Sequence, residues 1–361
     1  MTITRREFSR LAAASAATSF VPHAFGQSAQ RIRYAIVGLG RISMQHFMPA
    51  TKGSATTQVT ALVSGHPEKA RRVAAVYNIP ESSIYSYENI GKLRDNPNVD
   101  AVYIALPNSM HAEYSIRSAE AGKHVLCEKP MATSVADAEA MIAACKKASR
   151  KLMIAYRMRL EPTTLRVREM IRSGQLGTVQ GIESANGFNI RAGEWRLNGK
   201  LAGGGPLMDM GVYSLNGCQF LLGEEPTQMF ATASVIDHDG RFDEVEENLS
   251  WTMKFPSGAV AACNTTYGAG MDGMMTIHGS KGWLRMQPAF SYDGLHLTGR
   301  INGKDIDEPV AAKDPSQFVR EAEYFAKCIT DNTTPEPSGE VGLRDMKLMM
   351  ELYRLSGRIK A

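Results

Sequence analysis

Short apolar runs alternate with amphipathic stretches along the first part of the chain. The runs are rich in β-branched residues, and the stretches 68–74 and 135–148 carry apolar side chains at helical spacing. Runs that are apolar on both faces are typical of parallel strands buried between helices. The pattern therefore predicts an α/β domain over 31–155, built on a doubly wound parallel sheet. Its predicted strands cover 34–37, 59–64, 99–106, 124–127 and 152–155.

The pattern changes beyond Pro162, where helices frame a set of alternating segments. A helix is predicted over 163–173, and a strand pattern, a glycine run at 203–205 and a helix that continues to Leu222 follow it. Alternation then predicts half-buried strands over 227–236, 247–255, 259–267 and 274–286, and helices over 317–330 and 342–359 close the chain. We therefore expect a second, α+β domain over 156–361, built on an open and mostly antiparallel sheet.

Composition agrees with two domains and excludes some kinds of function. The chain has 361 residues, of which 43% are hydrophobic, and this is enough for two cores. A formal charge of +4 gives no support for nucleic-acid binding. The five cysteines are odd in number and widely spaced, so they predict no disulfide framework. The eight histidines show no zinc-binding spacing, so no metal site is predicted.

The N-terminus has the pattern of an export signal. Arg5 and Arg6 precede an apolar stretch that ends in small residues near Gly26. This pattern predicts a twin-arginine signal peptide over 1–26, the twin-arginine export machinery as a partner, and a periplasmic protein. The apolar stretch is too short for a permanent membrane anchor. A basic helix on a cytosolic protein is the alternative.

A glycine-rich turn follows the first predicted strand. Gly38 and Gly40 stand between that strand and a predicted helix, where glycines let the backbone approach a pyrophosphate at the helix N-terminus. Arg41 and Ile42 follow directly and are candidates for contact with the same ligand. An ordinary tight turn is the alternative, although the strand-turn-helix context favours a dinucleotide.

The end of the second strand distinguishes between the two nicotinamide cofactors. A carboxylate at this point would bind a ribose hydroxyl and repel a 2′-phosphate. The chain instead has Ser64 and His66 here, with Lys69 close behind and Arg41 beside the glycine turn. Neutral and cationic groups favour NADP. Lys69 could equally belong to the solvated helix face that carries Arg71 and Arg72.

Leu106, Pro107 and Asn108 close the predicted strand 99–106 at the sheet edge where ligands of such folds bind. Asn108 can donate its amide to the cofactor, and His111 can reach the same cleft. Asn108 could also cap the helix that follows it, and the two roles do not exclude each other.

Lys129 follows the fourth predicted strand and is the first catalytic candidate. An ammonium is a poor acid for a hydride-transfer site at neutral pH, whereas a phenol, with an ordinary pKa of about 10, becomes usable beside a cation. Tyr213 supplies such a phenol downstream of the glycine run. Asp209 lies four residues before Tyr213, so the two share one face of a helix.

At this point the sequence resembles the glucose-fructose oxidoreductase and aldose-aldose oxidoreductase branch of the Gfo/Idh/MocA family, over nearly its whole length. The resemblance rests on six runs: ALVSG at 61–65, DAVYI at 100–104, LPNS at 106–109, CEKPMATSVAD at 127–137, WRL at 195–197 and LAGGG at 201–205. It implies a Rossmann domain, an open-sheet substrate domain, and catalysis through Lys129, Asp209 and Tyr213. It also implies an NADP site formed by Gly38, Gly40, Ser64, Lys69, Tyr87, Asn108 and Glu128. Further candidates for contact with the cofactor are Arg41, Ile42, Leu106, Pro107, His111, Lys129 and Arg157.

The function expected from this resemblance is the oxidation of an aldose at C1 to its lactone and the reduction of a second sugar with the same NADP. Lys129, Asp209, Tyr213, Arg157, Trp195 and Arg196 are the candidates for contact with the sugar. Few residues separate Gly26 from the first strand, so the proline-rich arm that retains the cofactor in the glucose-fructose enzyme is not apparent. An NADP-dependent aldose dehydrogenase with exchanging cofactor and a non-catalytic sugar or nucleotide sensor are the alternatives. A homodimer or homotetramer is expected by analogy.

Overall fold

The computed structural model describes residues 31–309 and 317–358, and the predicted signal peptide over 1–26 lies outside them. Its first sheet has six strands in the order β3-β2-β1-β4-β5-β6. All neighbouring strands in it run parallel, which confirms the predicted doubly wound arrangement. The strands are β1 (Ile32–Val37), β2 (Thr57–Val63), β3 (Ile84–Tyr85), β4 (Ala101–Ile104), β5 (His124–Glu128) and β6 (Leu152–Ala155).

The second sheet has eight strands in the order β14-β13-β12-β11-β7-β10-β9-β8. Every neighbouring pair is antiparallel except β7 and β10, which run parallel, so the sheet is mostly antiparallel as predicted. The strands are β7 (Val179–Gly187), β8 (Gln228–Ser234), β9 (Asn248–Lys254), β10 (Val260–Thr266), β11 (Met274–Gly279), β12 (Gly282–Met286), β13 (His296–Ile301) and β14 (Lys304–Pro309).

Helices cover both faces of the first sheet and one face of the second. The α-helices are α1 (Met48–Lys52), α2 (Pro67–Tyr77), α3 (His111–Glu120), α4 (Val135–Lys147), α5 (Pro162–Arg172), α6 (Gly199–Ala202), α7 (Val212–Leu222), α8 (Gln317–Thr330) and α9 (Gly339–Leu355). Helix α7 is buried along nearly its whole length, because it lies between the second sheet and the rest of the protein. A π-helical turn, Leu207–Gly211, leads directly into α7.

The structure corrects three of the predicted elements. The segment 274–286 is not one strand but the hairpin β11–β12, because Gly279 and Gly282 flank a turn at which the chain reverses. At Gly282 a Cβ atom would lie 1.8 Å from the carbonyl oxygen of Arg300, so only glycine fits. Helix α9 begins at Gly339 and ends at Leu355, earlier at both ends than predicted. The strand predicted over 99–106 is shorter, because Ala105 and the residues after it already form the loop of the cleft.

Helix α8 returns from the end of the chain to the first sheet. Phe318 and Phe325 pack into the same core cluster as Tyr34, and the Tyr34 hydroxyl donates a hydrogen bond of 3.0 Å to the carbonyl oxygen of Ala322. The last part of the chain therefore completes one face of the first domain.

The described residues contain no helix long and apolar enough to cross a membrane. All five cysteines are free and buried, and the closest approach recorded for any two of them is 4.0 Å, between the Sγ atoms of Cys218 and Cys263.

Candidate active site

The glycine turn has the geometry of a dinucleotide cradle. Gly38 has a φ angle of 94°, and a Cβ atom there would lie 2.4 Å from the carbonyl oxygen of Ala105. Gly40 is exposed, and a Cβ atom on it would meet no protein atom within 4 Å. The Ser43 hydroxyl donates 2.7 Å to the carbonyl oxygen of Gly38 and fixes the turn. The protein thus leaves open space over Gly40, where a pyrophosphate would pass. Of the predicted neighbours, Arg41 is exposed and Ile42 half-buried.

The end of β2 presents no carboxylate. Ser64 is buried, and its hydroxyl accepts a 3.1 Å hydrogen bond from the backbone N–H of His66. Lys69 Nζ donates 2.6 Å to the carbonyl oxygen of Leu39, so this lysine joins helix α2 to the glycine turn. Arg71 instead pairs with Glu68 and Glu81 on the solvated side. The residues present are those that a 2′-phosphate tolerates.

Asn108 and His111 hold the cleft wall together. Asn108 is buried, and its amide donates a 2.8 Å hydrogen bond to the carbonyl oxygen of Ala202. No side chain caps the short turn Asn108–Met110 or helix α3, so the prediction that Asn108 caps the following helix was wrong. His111 Nδ1 lies 2.8 Å from the carbonyl oxygen of Pro130, and Nε2 lies 3.0 Å from that of Leu106. Burial lowers the pKa of His111 to about 4, so the ring is neutral and its single N–H donates to only one of these two carbonyl oxygens. Leu106 and Pro107 are half-buried beside it.

Tyr87 and Glu128 flank the same edge of the sheet. Tyr87 packs on Gly65, where a Cβ atom would lie 3.0 Å from Cε2 of its ring. Glu128 accepts 2.6 Å from the Tyr103 hydroxyl and 3.2 Å from the backbone N–H of Lys129. Burial raises the pKa of Glu128, although Lys129 opposes this. Glu128 therefore anchors the loop that carries the lysine.

Lys129, Asp209 and Tyr213 meet, as the sequence predicted. Lys129 Nζ donates 2.8 Å to the Asp209 carbonyl oxygen and 3.1 Å to its Oδ1. The same ammonium lies 4.7 Å from the centroid of the Tyr213 ring, which is 7% exposed. The π-helical turn places Asp209 so that both its backbone and its side chain face the lysine.

Asp209 is held by three donors and is thus a support rather than a base. Its Oδ2 accepts 2.9 Å from Arg196 Nε and 2.9 Å from the Tyr267 hydroxyl, while Oδ1 faces Lys129. Burial would raise the pKa of the Asp209 carboxyl, but Lys129 and Arg196 hold it well below its usual range. Burial would lower the pKa of Lys129, but Tyr213 and Asp209 raise it above its ordinary value. The carboxylate and the ammonium therefore remain charged together.

Two arginines contact the group of Lys129, Asp209 and Tyr213, Arg196 at Asp209 and Arg157 at Tyr213. The guanidinium carbon of Arg196 lies 4.7 Å from the centroid of the Trp195 ring. Trp195 therefore contacts the same arginine that donates to Asp209. Arg157 is buried and lies 4.9 Å from the Tyr213 ring centroid. It donates 2.6 Å to the carbonyl oxygen of Phe290 and also bonds Gln317. Arg157 thus packs on the Tyr213 ring while its guanidinium is held by other residues.

Sequence reasoning missed Tyr267 and Tyr292. Tyr267 directly follows β10, and its hydroxyl donates to Asp209 Oδ2. The centroid of the Tyr292 ring lies 4.6 Å from the guanidinium carbon of Arg157. Burial raises the pKa of Tyr267 well above its ordinary value, and Asp209 adds to this. No local motif marks either residue, because only the pairing of distant strands brings them to the site. Among the described residues, no group of three or more histidine, cysteine or carboxylate side chains could hold a metal ion.

Comparison with known proteins identifies the family of both domains. Residues 32–156 match the oxidoreductase family with an NAD-binding Rossmann fold, and residues 164–285 match the GFO/IDH/MocA C-terminal domain. D-xylose 1-dehydrogenase [NADP(+)] of Haloarcula marismortui is 33% identical, over 90% of this chain and 91% of that protein. D-xylose 1-dehydrogenase (NADP(+)) 2 of Haloferax volcanii is 30% identical, over 89% of this chain and 96% of that protein.

A solved structure is more similar still. The aldose-aldose oxidoreductase of Caulobacter crescentus, in complex with glycerol, is 42% identical with a TM-score of 0.88, and the match covers 91% of this chain and 98% of that one. The family resemblance seen in the sequence is confirmed. The chain belongs to the GFO/IDH/MocA family of oxidoreductases with an NAD-binding Rossmann fold.

Proposed function

We propose that this protein is a periplasmic sugar oxidoreductase that oxidises an aldose at C1 to the aldonolactone and reduces a second sugar to an alditol, with one retained NADP. The observation that carries the proposal is the Lys129 ammonium, which Asp209 holds at 4.7 Å from the Tyr213 ring centroid. Binding alone needs neither this cation nor this phenol.

The coarser part of the function follows from the family and its members. The chain is an oxidoreductase, its relatives at 30% and 33% identity are NADP-dependent D-xylose dehydrogenases, and its 42% identical structural neighbour is an aldose-aldose oxidoreductase. NADP is therefore the cofactor, and sugars are the substrate class.

The residues of the cleft fit NADP. The open space over Gly40 admits a pyrophosphate, and the end of β2 offers Ser64 and the nearby Arg41 without a carboxylate to repel the 2′-phosphate. We assign the remaining contacts to Lys69, Tyr87, Asn108 and Glu128 around the same edge. When bound, NADP would supply the hydride acceptor for the oxidation and, once reduced, the hydride donor for the second sugar.

Tyr213 acts on the proton of the reacting hydroxyl. It takes the proton of the anomeric hydroxyl while C1 loses a hydride, so that the C1–O bond becomes the carbonyl of the lactone. In the second half-reaction Tyr213 returns the proton to the oxygen of the reduced carbonyl. Lys129 stabilises the negative charge on the phenolic oxygen, and Asp209 holds Lys129 in place.

The sugar itself would lie between the two arginine groups. Trp195 and Arg196 approach from the Asp209 side, and Arg157 approaches behind the Tyr213 ring. We assign to Trp195 and Arg196 a contact with the sugar. Arg157 has its guanidinium bonded to Phe290 and Gln317, and we assign to it the support of Tyr213.

Release of the cofactor after each turnover is the second candidate. The two D-xylose 1-dehydrogenases among the relatives favour it, because dehydrogenases of that kind use NADP as a substrate. The two functions use the same Lys129, Asp209 and Tyr213, and they differ only in the lifetime of the bound cofactor.

Export through the twin-arginine pathway and self-association complete the proposal. Arg5 and Arg6 with the apolar stretch behind them support export. Phe230 is 62% exposed and Val260 45% exposed on the second sheet, and they support a homodimer or homotetramer through that sheet.

The test uses the purified mature protein and the fluorescence of reduced nicotinamide. After extensive dialysis the protein is mixed with an aldose in the absence of added NADP, and a second sugar is added afterwards. The proposal expects the fluorescence to rise by the amount that corresponds to one reduced nicotinamide per enzyme molecule. This fluorescence should then be lost when the second sugar is added. Fluorescence that rises only when NADP is supplied would establish the exchanging dehydrogenase. No change with or without NADP, over a broad panel of sugars, would contradict both.

A further inference from the structure

The glycine run 203–205 is enclosed on three sides. A Cβ atom on Gly203 would lie 2.6 Å from Thr133 Cγ2, and one on Gly204 would lie 2.1 Å from the Tyr353 hydroxyl oxygen. A Cβ atom on Gly205 would lie 2.4 Å from the carbonyl oxygen of Glu246. The run therefore fits between the loop that follows Lys129, helix α9 and the segment just before β9, and only glycine fits there.

A buried carboxylate holds the end of this run. Glu246 is 1% exposed, and its Oε2 accepts 2.9 Å from the backbone N–H of Gly205. Its Oε1 accepts 3.2 Å from the backbone N–H of Leu207 and 2.8 Å from the Tyr353 hydroxyl. Pro206, between the two amides, has no N–H, so the carboxylate satisfies the donors on both sides of it.

These amides begin the helical segment that carries the catalytic side chains. Leu207 is the first residue of the π-helical turn, Asp209 lies in that turn, and Tyr213 lies in the first turn of α7. The first amides of a helix have no partner within the helix and carry partial positive charge, so a carboxylate there fixes its start. No side chain of the segment itself caps the π-helical turn.

We propose that Glu246, oriented by Tyr353, is a positioning residue that sets the place of Asp209 and Tyr213 relative to Lys129. The inference rests on the proposed function, since the geometry that it fixes is that of the proton-transfer group. A small displacement of Tyr213 from the reacting hydroxyl costs rate rather than cofactor affinity, because the NADP cradle lies on other elements.

Glu247 provides a matched control, because it is the next residue and also lies just before β9. It is also buried, at 3% exposure, and its Oε2 also accepts from two backbone amides, those of Ile236 and Asp237. Those amides belong to the loop after β8, not to the catalytic helix. Glu246→Gln and Glu247→Gln thus remove the same charge from the same kind of environment.

The experiment compares kcat, KM for the sugar, the dissociation constant of NADPH, and hydrogen exchange of the amides 205–213 in the two variants. For Glu246→Gln we expect kcat to fall about 10- to 100-fold with an NADPH dissociation constant within about threefold of wild type. Exchange of 205–213 should accelerate in Glu246→Gln alone. Tyr353→Phe, which leaves the carboxylate in place, should lower kcat about 2- to 10-fold and serves if Glu246→Gln does not fold.

A kcat of Glu246→Gln within about twofold of Glu247→Gln would overturn the inference, as would equal exchange of 205–213 in both variants. If the wild-type protein turns over no sugar, the proposed function fails on its own. The exchange comparison then still decides whether Glu246 positions the helix.

Discussion

At the scale of the residue, the candidate site consists of the Tyr213 phenol, the Lys129 ammonium and the Asp209 carboxylate that holds this ammonium. Asp209 accepts from Lys129, Arg196 and Tyr267, so its oxygens are occupied, and it orients rather than reacts. The Tyr213 ring lies between two cations, 4.7 Å from Lys129 Nζ and 4.9 Å from the guanidinium carbon of Arg157, measured to the ring centroid.

Replacing Tyr213 by phenylalanine should abolish proton transfer without disturbing the cofactor. We expect kcat to fall about 10²- to 10⁴-fold, because a positioned general base contributes a factor of that size. Steady-state turnover of an aldose and titration with NADPH measure the two quantities. Tyr267→Phe is the control, since it removes one of the donors to Asp209 and should cost about 2- to 10-fold. Equal losses in the two variants would contradict the assignment of Tyr213 as the proton acceptor.

The sequence pointed to the proposed catalytic residues more readily than to the residues that contact them. Lys129 and Tyr213 lie in local motifs that also resemble a family, so they could be named in advance. Tyr267 lies 58 residues beyond Asp209, and the pairing of β10 with β7 and β9 in the second sheet places it at the site. Contacts of this kind depend on the whole sheet, and no periodicity in the sequence encodes them.

At the scale of the element, the two glycines of the turn after β1 have different surroundings. The fold leaves no room for a side chain at Gly38, whereas at Gly40 the open space is reserved for the proposed NADP. Gly38 approaches the carbonyl oxygen of Ala105 too closely for a side chain, whereas Gly40 has open space above it. The strand-turn-helix context was predictable from the sequence. The π-helical turns at Ser43–Phe47 and Leu207–Gly211 were not, because an inserted residue in a helix leaves no clear mark in the hydrophobic pattern.

Two alanine substitutions separate these roles. Gly38→Ala should lower the melting temperature, because its φ of 94° and the 2.4 Å approach to Ala105 leave no room for Cβ. Gly40→Ala should keep the wild-type melting temperature and weaken NADPH binding about tenfold or more, because its methyl group would occupy the open space of the cradle. Thermal unfolding and fluorescence titration measure the two effects. A Gly40→Ala variant that binds NADPH as wild type does would place the pyrophosphate elsewhere.

At the scale of the whole molecule, helix α8 brings a buried acid from the end of the chain to the cofactor side of the first sheet. Glu321 is 0% exposed, and neither of its carboxyl oxygens has a hydrogen-bond partner among the residues that the structure describes. Burial raises the pKa of Glu321 well above its usual range, Glu128 adds to this, and Arg157 opposes it. The folded protein therefore keeps a proton on Glu321 that the unfolded chain gives up above about pH 4.3.

The contribution of Glu321 to the unfolding free energy should consequently fall by about 1.4 kcal/mol per pH unit as the pH rises from about 4.3 toward the higher pKa of Glu321 in the folded state. Glu321→Gln has no proton to lose, so its unfolding free energy should decline less between about pH 5 and pH 8. Glu323→Gln on the same helix, where the partly exposed carboxylate accepts from the Ser54 hydroxyl, is the control. Denaturant unfolding at several pH values gives the slopes. Parallel slopes in wild type and Glu321→Gln would show that Glu321 is not the titrating group.

Isotope transfer between two sugars tests the central claim most directly. The purified protein is given an aldose deuterated at C1 together with a second, unlabelled sugar, and the products are analysed by mass spectrometry. The account predicts deuterium at the reduced carbon of the alditol, none of it diluted by added unlabelled NADPH, and no alditol from Tyr213→Phe. An alditol without deuterium, or label lost to the added NADPH, would contradict hydride transfer through a single retained cofactor.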